Sequence, residues 1–126
     1  MKRTVLLLVI GAFAIVASAD AAPRLKPIMR DWKAQANQAE QMLSGAAPYD
    51  QAKVRQILAG MVSDARDIEA GITGSSANAR AVKDRFSQFE TDAAATLQAA
   101  AARDSARARF QRVAADCRSC HDALKN

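Results

Sequence analysis

Residues 117–121 read Cys-Arg-Ser-Cys-His, close to the end of a 126-residue chain, and they hold both of its cysteines and its one histidine. Whatever this chain folds into must present these three side chains together. On a helix, residues at i, i+3 and i+4 share one face. Two thiols spaced i and i+3 can reach the two vinyl groups along one edge of a porphyrin and form thioethers. An imidazole at i+4 then lies under the ring, within reach of the iron. Cys-x-x-Cys-His is accordingly the attachment signature of c-type haem. Three other readings of these residues have weaker physics. A disulfide between Cys117 and Cys120 would close a very small loop and stabilise little. A thioredoxin-like redox pair would need a βαβ setting, and no segment here alternates with the period of a strand. A zinc site needs four ligands, and Cys117, Cys120 and His121 supply three.

The other end of the chain reads as a leader. Lys2 and Arg3 precede an apolar run from Val5 to Val16, too short for the ~20 residues of a membrane span. Ala17-Ser18-Ala19 then offers small residues for cleavage, with a second site after Ala22. Residues 1–22 are therefore expected to be a removed signal peptide. Residues 23–126 are expected to form one domain, large enough for a single core. Covalent haem is attached outside the bacterial inner membrane, so a periplasmic address agrees with the motif. The formal charge of +5 includes Lys2 and Arg3; without residues 1–19, 16 basic residues face 13 acidic ones. The basic residues are scattered among Asp and Glu with no interleaved aromatics, which argues against a nucleic-acid partner.

Helical periodicity runs through the rest. Four segments are expected. The first runs from Pro27 to Leu43, with Leu25, Ile28, Met29, Trp32, Ala36, Ala39 and Leu43 on one row. The second runs from an Asp50 N-cap to Ala70, with Val54, Ile57, Leu58, Met61, Val62, Ala65 and Ile68, and Gly71 as its stop. The third runs from beyond Ser75-Ser76 to about Ala102, with Val82, Phe86, Phe89, Ala93, Leu97 and Ala100. The fourth runs from about Asp104 to Leu124, with Ala106, Phe110, Val113, Cys117, Cys120, His121 and Leu124. This places the motif on the buried face of the last helix, after a weak break at residues 102–105. Four helices with short connections form an all-α, antiparallel up-down-up-down bundle. Much of each row is alanine, so the side-chain core is thin and the protein without haem is expected to be loose.

In that topology the end of the fourth helix meets the starts of the first and third and the end of the second. Ile28, Trp32, Ile68, Val82 and Phe86 are the expected haem-pocket residues. A sixth ligand would come from a methionine. At 1.5 Å per residue, Met42 lies about 20 Å along the first helix from Met29, and Met61 lies about 13 Å short of the end of the second. Only Met29 is level with His121, although core methionines commonly just pack.

The leader, the four helices, the Pro48-Tyr49-Asp50 element opening the second helix and the C-terminal Cys-x-x-Cys-His together resemble the cytochrome c-prime family, the class II c-type cytochromes. The likeness spans nearly all of the chain after the leader. It implies one covalent haem c, with iron held by His121. In the low-spin, electron-carrying branch it implies a methionine ligand at the position of Met29. In the high-spin branch it implies a five-coordinate iron that binds NO or CO. An arginine common in the family one turn before that methionine is Leu25 here, so Arg24, Lys26, Arg30, Arg80 and Lys83 remain the cations placed to pair with propionates. The expected function is one-electron transport by Fe(III)/Fe(II) cycling, not catalysis. The expected partners are periplasmic redox proteins, with the chain as monomer or homodimer; relatives often dimerise through the first two helices.

Overall fold

The computed structural model describes residues 25–124. Among them it shows four α-helices and no strand: α1 (Leu25–Ser44), α2 (Gln51–Gly71), α3 (Ala77–Gln98) and α4 (Arg103–Leu124). Each helix packs on the next and α1 closes the ring against α4; the tightest pairings are α2 with α3 and α3 with α4. Short connections make consecutive helices antiparallel, which is the expected four-helix bundle. The expected leader and Arg24 lie outside the described residues, as does the side chain of Leu124. No helix among the described residues is long and apolar enough to cross a membrane.

Local chemistry sets most helix ends. The Lys53 N–H donates to Asp50 Oδ1 at 3.1 Å, and the Ala79 N–H donates to Ser76 Oγ at 3.1 Å, capping α2 and α3. Helix α1 starts at Leu25, two residues before the expected Pro27. The proline sits in the first turn, where its missing N–H would have had no partner. Gly45, at φ 88°, ends α1. Its left-handed backbone lets the Ala47 N–H reach back to the Gln41 carbonyl at 2.9 Å. Gly71 closes α2 without a positive φ; Ile72 leaves in extended backbone, with its N–H on the Glu69 carbonyl at 3.2 Å.

The α3–α4 connection departs most from expectation. Helix α3 stops at Gln98, not near Ala102, and residues 99–102 form the turn. Nothing in an alanine run breaks a helix, so the break is imposed from outside. The Tyr49 hydroxyl donates to the Ala100 carbonyl, tying this connection to the one between α1 and α2.

The expected rows fill the centre. Val54, Leu58, Met61 and Ala65 of α2, Phe86, Phe89 and Ala93 of α3, and Ala106, Phe110 and Val113 of α4 are buried. Met42 joins Trp32, Ala39 and Leu43 from α1. The buried alanines let helices approach closely and keep the core thin. Two polar residues are buried as well, Asp92 and Thr96. The Thr96 hydroxyl donates to the Asp92 carbonyl at 2.9 Å, so its polarity is satisfied within its own helix.

Candidate haem site

Trp32 is where three helices meet. Its indole N–H donates to Asp64 Oδ2 on α2 at 3.0 Å. Its ring stacks on Phe89 of α3 at 4.4 Å and 12°, and meets Phe86 edge-on at 6.3 Å. Beyond this hub, toward the start of α1 and the end of α2, the packing changes. Leu25, Ile28, Met29, Ile68, Ile72 and Val82 pack against the core yet stay half-exposed. The opposite end is sealed, with Met42, Leu43, Val54, Ile57 and Leu58 no more than 6% exposed. Of the expected pocket residues, Trp32 and Phe86 are thus buried in the floor, while Ile28, Ile68 and Val82 form a half-covered apolar rim.

The motif stands at that rim, in unbroken helix. Cys117 and His121 are exposed and Cys120 is half-buried. The expectation that they extend the buried row of α4 is therefore corrected: that row ends at Val113. The apolar residues at this end of α1, α2 and α3 are the half-exposed aliphatics of the rim. For two thiols and an imidazole that must meet a flat ring outside the helix, this exposure is a requirement.

The chemistry of the donors can be tested against the alternatives. The two cysteines are free of each other. Partial desolvation, then the charge of Asp116, pushes the Cys117 thiol up. Desolvation raises Cys120 as well, with the Arg85 guanidinium opposing. Among the described residues, no three His, Cys, Asp or Glu side chains converge as a metal centre would need. Two neutral thiols and one imidazole within five residues, beside a half-covered apolar rim, fit covalent haem.

Met29 lies about one turn into α1 and His121 in the last turn of α4. In antiparallel neighbours those positions are level. Met42 and Met61 are buried in the core and away from the rim. Lys26, Arg30, Arg80 and Lys83 are exposed. The cation that touches the motif is a different one: Arg85 Nη1 donates to Ser119 Oγ at 2.6 Å. Its signal was positional. Residues 85 and 119 lie at equal distances in sequence either side of residue 102, so antiparallel pairing of α3 and α4 about their connection brings them level. Surface hollows beside Tyr49 and Arg55, and between α2 and α3 at Val62 and Leu97, lie away from the cysteines.

No curated protein and no solved structure matches this chain. The family model described as cytochrome C′ matches residues 21–125, which takes in all four helices and the whole motif. The half-covered rim, the free thiols at its edge and this match point the same way: the chain belongs to the cytochrome c′ family of haem proteins, four-helix bundles that carry covalently attached haem c.

Proposed function

We propose that this cytochrome c′ is a periplasmic one-electron carrier, with haem joined to Cys117 and Cys120, His121 as proximal ligand and Met29 as distal ligand. The observation that carries the reading is the register of Met29 with His121 inside the half-exposed apolar rim. When bound, the haem supplies Fe(III)/Fe(II) cycling. The residues of the chain do the rest. Leu25, Ile28, Ile68, Ile72 and Val82 keep water from the ring and disfavour extra charge at the iron. The Met29 thioether is a soft ligand that favours the ferrous state. Trp32 holds α1 against α2 and α3, which keeps Met29 in place. The leader expected from the sequence at residues 1–22 supports the periplasmic address, where the carrier's electron-exchange partners are other redox proteins.

The ferrous visible spectrum, with and without CO, tests this reading in wild type and in Met29→Ala. The expected wild type gives a split low-spin α/β pair that CO leaves unchanged, and Met29→Ala turns high-spin and binds CO. A wild type with a broad high-spin band that sharpens under CO would overturn the carrier reading in favour of five-coordinate binding of NO or CO. Mass spectrometry of exported protein checks the leader: the N-terminus should follow Ala19 or Ala22, with the mass of one haem added.

A further inference from the structure

One cluster at the α3–α4 interface takes no part in the arrangement above. Asp92 on α3 is 8% exposed, the one charged side chain buried among the described residues. Its Oδ2 accepts from the Gln88 side-chain amide at 3.1 Å. Facing it on α4, Asp116 holds Oδ2 out of water with no partner. Two carboxylates brought together away from water do not both ionise; they share a proton. Among the described residues no other donor reaches Asp116 Oδ2, so a proton of its own, given to Asp92, is what satisfies it. Burial first, then the hydrogen bond and charge of Asp92, push the Asp116 carboxyl up to about 7, with Arg112 opposing. The hydrogen bond from Asp116 lowers Asp92.

Among the described residues, the charges facing Asp116 are Asp92 from α3 and Arg112 from its own helix; α1, the other helix packed on α4, brings none that acts on it. Arg85 of α3 is turned instead to Ser119 and Cys120. Asp116 immediately precedes Cys117 in the chain and stands five residues before His121. A ferric centre favours a nearby carboxylate, and a ferrous centre, one positive charge poorer, favours the acid.

We infer that Asp116, seated against Asp92, is a redox-linked proton site: reduction of the haem draws a proton from solvent water onto Asp116 Oδ2, and reoxidation releases it. The electron comes from a one-electron donor among the redox partners and the proton from water, so up to one of each is taken up and no net charge is added to the bundle. This inference rests on the haem attachment at Cys117 proposed above. It adds to that reading a second task, coupling electron transfer to proton uptake.

The test uses holoprotein whose haem content is first confirmed by pyridine haemochrome and mass; colourless protein would sink the proposed function itself and not this step alone. Spectroelectrochemical titration from about pH 5 to about pH 9 should show a midpoint potential that falls as pH rises around neutrality. Asp116→Asn should be flat in that window. Asp92→Asn should move the window to lower pH, since Asp116 then ionises without a charged neighbour. Redox difference infrared spectroscopy gives an independent readout. At neutral pH, reduction should bring up a protonated-carboxyl band that shifts in D2O and is missing from Asp116→Asn. A pH dependence that survives in Asp116→Asn, or is unmoved in Asp92→Asn, would overturn the inference, and so would the lack of a carboxyl band in wild type.

Discussion

Trp32 is expected to hold α1 in the bundle, and truncating it tests the scaffold that keeps Met29 level with the haem motif. The indole is 5% exposed, so almost the full transfer and cavity penalty applies. Trp→Ala in a core costs about 3–5 kcal/mol. The stack on Phe89 and the bond to Asp64 place Trp32→Ala toward the top of that range, at about 4–5 kcal/mol. Trp32→Phe keeps an aromatic ring on Phe89 and loses the bond to Asp64. Asp64 is half-exposed and regains water, so the loss is about 1 kcal/mol. Against a total stability of roughly 5–15 kcal/mol for a domain of this size, the alanine variant is severely weakened and the phenylalanine variant is not. Urea unfolding followed by far-UV circular dichroism is the assay, because Trp32 is the only tryptophan and fluorescence leaves with it. With a slope of about 1.5 kcal/mol per molar urea, the midpoint should fall by about 3 M in Trp32→Ala and by less than about 1 M in Trp32→Phe. Covalent haem stays on the unfolded chain, so it adds no mass-action stabilisation. The Trp32→Ala spectrum should also move toward high spin as α1 loosens. A Trp32→Ala midpoint within about 0.5 M of wild type would refute the idea that this side chain pins three helices.

Other outcomes follow from the same packing. Tyr49→Phe removes the donor to the Ala100 carbonyl and should cost about 1–2 kcal/mol in chemical denaturation, with no change in the haem spectrum, because the contact lies between the connections at the sealed end. Gly45→Ala forces a left-handed residue and brings a Cβ within 3.3 Å of Arg103 Nη1. The guanidinium can move aside, so the expected loss is the backbone strain of about 1–2 kcal/mol, read as a drop in Tm. Stability should depend on pH through Asp116. Its carboxyl rises from 3.8 to about 7 on folding, so its contribution is full below about pH 4 and disappears as pH rises through about 7. The ceiling of about 4 kcal/mol falls to on the order of 1–2 kcal/mol once partial solvent access and the opposite shift of Asp92 are counted. The lowered Asp92 acts the other way below its unfolded value, where its contribution is lost as pH falls. Unfolding curves at constant ionic strength should show Asp116→Asn nearly flat between about pH 4 and pH 7. An unchanged slope in that variant would show that another group carries the effect.

The chain on its own determined the helical class, the number of helices and the core faces, because apolar spacing at three and four residues depends only on helix geometry. Asp50 and Ser76 were legible as caps for the same local reason: a side-chain oxygen beside a helix start has a free backbone N–H within reach. The haem motif was legible because its spacing is a covalent requirement. Other features belonged to the tertiary structure. The turn at 99–102 lies inside an alanine run that favours helix throughout, and only Tyr49, some fifty residues away, captures the Ala100 carbonyl there. Gly45, not Gly71, takes the left-handed stop, since which glycine must turn is set by how the chain leaves each helix. The motif was expected on a buried face because Cys117 and His121 continue the row of Phe110 and Val113. Periodicity says which face a residue shares, and only packing says how far along the helix that face is covered. Asp92 and Asp116 stand on none of the apolar rows; the approach of α3 to α4 put one inside the core and left an oxygen of the other without a partner, and no local pattern carries that information.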